Sequence, residues 1–201
     1  MSALRSGQSL LSHAAVVLAA GRSQRLGQLK QALQLGGQSL EARALQLAAR
    51  TSPAQLLLVR AAADRRPIPA LGEVTVTTVV APPGGMGISI RSAALALDPS
   101  VAGILILSVD QPHLDHLHLL DLLRHWREQP NRPVASAYAG IVGNPAVLPY
   151  SWRSRLLSLD KDQGAREWLR DESDLATVSN PALAADVDTP ADLRLVDRPD
   201  S

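Results

Sequence analysis

The chain has 201 residues, of which 20 are lysine or arginine and 19 are aspartate or glutamate, and it contains no cysteine. The length favours one domain with a sizeable core, and the balanced charge gives no overall electrostatic field that would attract nucleic acid. The absence of cysteine excludes disulfides, thiol catalysis and cysteine-ligated zinc. Because aromatic residues make up only 2%, we expect an aliphatic core and little stacking of nucleic-acid bases.

The N-terminal segment gives no targeting signal. Residues 1–12 lack the apolar core of a signal peptide, and the apolar run after them is too short to span a bilayer. We expect a cytoplasmic protein without a membrane partner. Its predicted parts are an N-terminal extension (residues 1–13), a single domain (14–197) and a C-terminal tail (198–201).

The first informative stretch is an apolar run over residues 14–20, which breaks at Gly21 into a basic segment. This pattern predicts a buried strand that delivers a loop to an anion. The segment carries three cations and a second glycine: Arg22, Arg25, Gly27 and Lys30. The spacing fits neither a Walker loop nor the dinucleotide fingerprint. The loop can hold a polyphosphate through backbone N–H groups and cations, and a solvated basic turn is the alternative.

Several regular elements follow the loop. Residues 39–49 have helical spacing with Ser39 as the N-cap. Residues 55–59 and 74–80 predict strands, and residues 61–72 between them predict a short helix and an exposed loop.

A second glycine-rich connection comes next, over residues 81–88. It contains two prolines and three glycines after a strand, and an Ala/Leu-rich helix is predicted to start near Ser89. In isolation this is either an ordinary strand-to-helix connection or a second pre-shaped binding loop.

Residues 103–109 predict the central strand of a parallel sheet, because nearly all of them are apolar. The run ends in Asp110, Gln111 and Pro112, and open α/β sheets bind ligands at the carboxyl ends of their strands. An aspartate there suits Mg²⁺, which commonly joins one or two carboxylates to substrate phosphates. The alternative is an aspartate that begins the turn before Pro112.

Residues 113–128 predict a helix rich in histidine. Its histidines, His113, His116, His118 and His125, interleave with leucines. We interpret them as the solvent-facing side of an amphipathic helix and not as a zinc site.

The remaining chain predicts a strand at residues 134–138, a turn feeding a short strand at 140–148, and helices at 151–159 and 165–170. Near the C-terminus, Asp186 and Asp188 fall on one face of a short strand-like stretch. Two such carboxylates repel each other unless a cation lies between them.

Taken in order, these segments resemble the motifs of nucleotidyltransferases related to molybdenum cofactor cytidylyltransferase. Leu18-Ala19-Ala20-Gly21-x-Ser23-x-Arg25-Leu26-Gly27-x-x-Lys30 resembles L-A-A-G-x-S-x-R-M-G-x-x-K and departs from it only at Leu26. Gly85-Met86-Gly87-x-Ser89-Ile90 resembles G-M-G-x-S-L, and Asp110-Gln111-Pro112 matches D-Q-P.

Three further segments resemble family motifs with departures. Residues 140–148 resemble G-x-x-G-N/H-P-V-L, but Val142 stands where an arginine is frequent. Residues 161–166 resemble G-D-x-G-A-R with Lys161 in place of the first glycine, a change with a conformational cost if its φ is positive. Residues 186–192 resemble D-I-D-T-P-E-D.

The resemblance implies a three-layer α/β/α Rossmann-like nucleotidyltransferase fold, similar to nucleotide-diphospho-sugar transferases, with a mostly parallel central sheet. It implies a nucleotide site formed by Leu18, Ala19, Ala20, Gly21, Arg22, Ser23, Arg25, Gly27, Lys30, Gly85, Met86, Gly87 and Ser89. Arg25, Lys30 and Asp110 are the implied catalytic residues, and Asp110, Asp188 and Asp186 the implied metal ligands. The implied acceptor site comprises Gln111, Pro112, Gly143, Asn144 and Pro145.

The implied activity is Mg²⁺-dependent transfer of CMP from CTP to the phosphate of the molybdopterin cofactor, giving molybdopterin cytosine dinucleotide and pyrophosphate. A molybdenum hydroxylase is the implied transient partner. Two alternatives stay open at this point: transfer from another nucleotide such as GTP or to a sugar phosphate or other small phosphate, and a non-catalytic chaperone that binds the cofactor. The presence of both Lys30, for the triphosphate, and Asp110, for the metal, favours an enzyme, because a carrier does not need both.

Overall fold

A computed structural model describes residues 11–21, 30–161 and 165–184, with the backbone alone described for Lys30 and residues 165–167. The elements in chain order are β1 (His13–Ala19), β2 (Gln34–Leu35), β3 (Gln38–Ser39), α1 (Leu40–Ala49), β4 (Gln55–Ala61), β5 (Val76–Ala81), α2 (Gly85–Leu95), β6 (Gly103–Ser108), α3 (His116–Glu128), β7 (Val134–Tyr138), β8 (Ile141–Pro149), α4 (Arg153–Leu157), α5 (Ala165–Asp171) and β9 (Ala176–Ser179). Short 3-10 turns occur at Lys30–Ala32, Tyr150–Trp152 and Pro181–Ala184.

Seven strands form the central sheet in the order β5-β4-β1-β6-β8-β7-β9. All neighbouring strands are parallel except β8, which runs antiparallel to β6 and to β7. β2 and β3 form a separate two-stranded pair. The predicted mostly parallel sheet is therefore confirmed.

Helices cover both faces of the sheet, and this explains why β1 is apolar at every position after His13. Ala15, Val17 and Ala19 pack into one core with α1 and α3, whereas Val16 and Leu18 pack into a second core with α2, α4 and α5. Alternate residues of a strand point to opposite faces, so a strand between two helical layers needs apolar residues at every position. The three-layer α/β/α fold follows from this pattern.

The chain changes direction across the sheet at β1. From β1 it proceeds to β4 and β5 on one side, and then returns to β6 on the other side. Open α/β sheets have a crevice at the carboxyl ends of the strands where the order reverses. In this fold the crevice lies between the ends of β1 and β6, where Leu18 pairs with Ser108.

Local signals in the sequence explain several element boundaries. Ser39 caps α1 by accepting a hydrogen bond from the Ala42 N–H at 3.1 Å, as predicted. Asp115 caps α3 through the His118 N–H at 2.8 Å, so α3 begins at His116 and not at His113. α2 begins at Gly85, four residues before the predicted start at Ser89.

The structure differs from the predictions in one helix and in the length of one strand. The described residues 61–72 contain no helix; instead Arg60, at the end of β4, anchors the segment through buried ion pairs to Glu41 and Asp64. The turn predicted to feed a strand is confirmed at Gly140, but the strand is not short, because β8 runs for nine residues over Ile141–Pro149. No described helix has both the length and the apolar character needed to cross a bilayer.

The histidine-rich helix is also corrected. His118 is only 6% exposed and does not belong to the solvent-facing side of α3. It precedes the buried Leu122 and Trp126 by four and eight residues, and this spacing places it on the core-facing stripe of the helix.

Candidate active site

The predicted phosphate loop starts beside the predicted metal ligand. β1 and β6 are parallel neighbours, and the Val109 N–H donates to the Leu18 carbonyl at 3.4 Å. Gly21 follows β1, and Asp110 follows β6, so both leave the sheet at its carboxyl edge. Within the loop, Arg22, Ser23, Arg25 and Gly27 lie outside the described residues, as does the side chain of Lys30.

The turn that carries Asp110 is held by two neighbouring side chains. The Ser108 hydroxyl donates a short hydrogen bond to Asp110 Oδ1. From α1, Arg43 donates to the carbonyls of Pro112 at 3.1 Å and Leu114 at 3.2 Å. Asp110 is therefore fixed at the edge of the crevice. Neither Ser108 nor Arg43 was predicted. The contacts of Arg43 join distant parts of the chain, whereas Ser108 lies only two residues before Asp110.

Gln111 joins this turn to the predicted acceptor segment. Its side-chain amide donates to the Asn144 carbonyl at 2.8 Å and to the Tyr138 hydroxyl at 3.3 Å. The same hydroxyl lies 3.2 Å from the position that a Cβ atom would take at Gly143. The structure thus brings Gln111, Gly143 and Asn144 together and adds Tyr138, a residue that the sequence motifs did not indicate.

The acceptor segment is a bulge in β8. Ala135 pairs with Ala146, but the next residue, Ser136, pairs with Gly143. Asn144 and Pro145 are therefore extra residues between two ladder positions. Such bulges redirect side chains at the edges of sheets and beside active sites.

The second glycine-rich loop leads directly into α2. Gly84 has a φ of 154°, and a Cβ atom there would lie 2.6 Å from Ile88 Cγ1. The Gly87 N–H donates to the carbonyl of Lys161 at 2.8 Å. Lys161 has a φ of 47°, so the conformational cost expected for a lysine with positive φ at this position applies. Ser89 is buried and donates to the Gly85 carbonyl at 3.2 Å.

A buried network of charges lies next to the start of the phosphate loop. Arg60 pairs in register with Ala19, and its guanidinium binds Glu41 twice and the carbonyls of Arg66 and Pro67. Burial raises the pKa of the Asp64 carboxyl. The hydrogen bonds from Arg66 and the positive charges of Arg66 and Arg60 together outweigh burial, so the pKa lies below its ordinary value. Because the Arg60 guanidinium already donates its hydrogen bonds to Glu41 and to the carbonyls of Arg66 and Pro67, this cation is not a phosphate ligand.

The metal ligands predicted from sequence are only partly described. Among the described residues, no group of three or more histidines, aspartates or glutamates is arranged to hold a metal. Asp186 and Asp188 lie outside the described residues. Asp110 is the predicted ligand that the structure places in the crevice.

An open α/β/α sheet with a crevice at the crossover and an aspartate after the central strand belongs to the class of α/β proteins that bind ligands at the carboxyl ends of their strands. The family model for the MobA-like NTP transferase domain matches residues 15–178. The chain belongs to this family and is a nucleotidyltransferase, as its motifs predicted.

Solved structures support the same fold. Rv0371c from Mycobacterium tuberculosis H37Rv is 27% identical, with a TM-score of 0.79 over 94% of this chain and 98% of that one. The structure of Rv0371c in complex with manganese gives 25% identity and a TM-score of 0.75, with the same coverage of 94% and 98%. Molybdopterin-guanine dinucleotide biosynthesis protein A from Archaeoglobus fulgidus, at 18% identity and a TM-score of 0.61, covers 92% of this chain and 96% of that one. A comparison with curated protein sequences gave no match.

Proposed function

We propose that this nucleotidyltransferase transfers CMP from CTP to the phosphate of the molybdopterin cofactor. The observation that supports the proposal is that β1 and β6 are parallel neighbours, so the start of the loop at Gly21 and the turn at Asp110 leave the sheet at the same carboxyl edge, the edge at which β5 also ends before α2 begins. The resemblance of the first two segments to those of CTP-using relatives supports the choice of nucleotide.

The chemistry is a displacement at phosphorus. An oxygen of the acceptor phosphate attacks the α-phosphorus of CTP, a new P–O bond forms, and the bond to the β-phosphate oxygen breaks as pyrophosphate leaves. Because the acceptor phosphate is already ionised at neutral pH, the step needs no strong general base. Catalysis then rests on positioning and on charge stabilisation.

The residues have separate tasks in this reaction. Arg25 and Lys30 are proposed to bind the β- and γ-phosphates, where charge accumulates as pyrophosphate departs. The second loop is proposed to bind the nucleoside, since its position is fixed by the close approach of Gly84 to Ile88 and by the hydrogen bond from Gly87 to the Lys161 carbonyl. Gln111 and the bulged segment with Asn144 are proposed to hold the acceptor.

A divalent metal fits the donor set at the crevice. Asp110 offers a carboxylate that Ser108 orients through a hydrogen bond, and Mg²⁺ is commonly bound by one or two carboxylates together with substrate phosphates. Asp188 and Asp186 are the proposed further ligands. Rv0371c, a similar protein, has a structure in complex with manganese, which supports the use of a divalent ion, and Mg²⁺ is our proposal for this chain. When bound, the ion neutralises phosphate charge.

The test is pyrophosphate release by purified protein with Mg²⁺, the molybdopterin cofactor and each of CTP, GTP, ATP and UTP. We expect turnover with CTP and its loss when a chelator removes the metal. Release from GTP alone would refute the choice of nucleotide, and turnover only with sugar phosphates would refute the acceptor.

A variant of Asp110 distinguishes an enzyme from a cofactor carrier. Asp110→Asn keeps the shape of the turn but removes the charge, and it should lower kcat by about 100-fold, a typical cost of removing one electrostatic stabiliser. Asp121→Asn is the matched control, because Asp121 lies exposed on α3 in a surface ion pair with Arg124 and should leave kcat unchanged. Full activity of Asp110→Asn would remove the role assigned to this carboxylate.

A further inference from the structure

The bulge of β8 is held by side chains in place of ladder hydrogen bonds. Two consecutive carbonyls lie in it, and each accepts a hydrogen bond from a side chain of another element. The Asn144 carbonyl accepts from Gln111 Nε2 at 2.8 Å, and the Pro145 carbonyl accepts from the Ser136 hydroxyl at 2.7 Å. The conformation of the bulge therefore depends on these two side chains.

Ser136 is in turn oriented by His118 of α3. His118 Nε2 lies 2.8 Å from Ser136 Oγ. A serine hydroxyl has one hydrogen, and here that hydrogen goes to the Pro145 carbonyl. His118 Nε2 must therefore carry a proton and donate it to Ser136. The result is a directed chain of hydrogen bonds from α3 through β7 to the bulge.

Burial makes this chain costly unless it is complete. Ser136 is 0% exposed and His118 is 6% exposed. Burial lowers the pKa of His118, while the negative charges of Asp115 and Asp121 act in the opposite direction. A buried polar group without a partner costs free energy, whereas a fully bonded one fixes the local conformation.

We propose that Ser136 and His118 are positioning residues that hold the Asn144–Pro145 bulge in the orientation in which it binds the acceptor. The inference rests on the proposed function, because the acceptor role of the bulge belongs to that proposal. Neither residue touches the crevice, so both act through the carbonyl of Pro145. Their loss affects the acceptor half of the site and spares the nucleotide half.

The chain contains a matched control for this arrangement. His13 Nε2 lies 2.9 Å from Thr51 Oγ1, and Thr51 donates to the Ala48 carbonyl at 2.7 Å. This second chain of histidine, hydroxyl and carbonyl is also buried, but it lies at the amino-terminal end of β1, opposite the crevice. Thr51→Val removes the equivalent hydroxyl at a place where no acceptor binds.

The kinetic test compares Ser136→Ala, His118→Leu and Thr51→Val in the full chain, with CTP and the molybdopterin cofactor as substrates. Ser136→Ala and His118→Leu should raise the KM for the acceptor by about tenfold, as expected for one lost buried hydrogen bond, and leave the KM for CTP unchanged. His118→Gln keeps an N–H donor and should restore most of the acceptor affinity. Thr51→Val should change neither KM.

A second measurement does not depend on turnover. Hydrogen exchange at the amides of Gly143, Asn144 and Ala146 should be faster in Ser136→Ala than in the wild type and unchanged in Thr51→Val. The ¹⁵N shifts of the His118 ring should show a proton on Nε2 in the wild type. Unchanged exchange in Ser136→Ala, or KM values for acceptor and CTP that rise together, would overturn the inference. If the wild type fails to use these substrates, the proposed function fails, and the exchange result alone then decides whether the pair holds the bulge.

Discussion

Acid should destabilise the protein through His13, and the effect can be isolated. His13 begins β1, is 1% exposed, and has Thr51 as its hydrogen-bond partner. Burial, with a smaller effect of the nearby positive charge of Arg127, lowers the pKa of this imidazole from 6.5 to about 4. The folded protein therefore resists protonation at His13 over a pH range in which the unfolded chain accepts the proton.

The sign and size of the effect follow from this difference. Between pH 6.5 and about 4 the unfolded state binds more protons, so the free energy of unfolding falls as the pH is lowered through that window. Between pH 7 and pH 4.5 the loss from His13 amounts to about 2.5 kcal/mol. Below pH 4 protonation of carboxylates adds to it, and the comparison should stop at pH 4.5.

The assay is urea unfolding followed by tryptophan fluorescence, since Trp126 and Trp152 are buried and report the loss of packing. His13→Gln removes the titration while keeping a side-chain N–H donor for Thr51. The wild type should lose about 2.5 kcal/mol more than His13→Gln between pH 7 and pH 4.5. His118 is present in both proteins, so its contribution cancels. Equal losses in the two proteins would refute the reasoning.

Two further substitutions test the elements beside the crevice. Glu41→Gln removes the nearer counter-charge of the buried Arg60 and leaves it only Asp64, at 3.8 Å. It should lower the free energy of unfolding by about 3 kcal/mol, whereas Glu128→Gln, in an exposed ion pair, should cost less than about 1 kcal/mol. Urea unfolding of both variants measures the contrast, and equal costs would contradict it. Gly84→Ala forces a Cβ atom to within 2.6 Å of Ile88, which displaces the start of α2 and should raise the KM for CTP. An unchanged KM for CTP would show that the start of α2 does not bind the nucleotide.

The sequence was most informative where one local pattern determines the structure. The unbroken apolar runs of β1 and β6 predicted doubly covered central strands, and the position of Ser39 predicted the start of α1. Both signals depend only on neighbours in the chain. The carboxyl-edge location of Asp110 followed from the same logic.

The errors arose where partners are distant in sequence. Arg60 fell between the predicted strand at residues 55–59 and the predicted segment at 61–72, and its burial depends on Glu41, which neutralises it from another element. The strand within residues 140–148 was predicted to be short, and the bulge at Asn144 and Pro145 that β8 contains depends on its pairing with β7. His118 is the error that the sequence could have avoided, since its spacing from Leu122 and Trp126 already placed it on the buried stripe.

The pairing of β1 with β6 has a consequence for how the protein folds. His13 pairs with Gly103, about ninety residues later in the chain, whereas β1 and β4 are joined by a short local unit. During synthesis the loop after β1 therefore exists long before the strand that carries Asp110. Closing so long a loop slows folding. The nascent chain can form half of the sheet early, but the active site assembles only after its second half has left the ribosome.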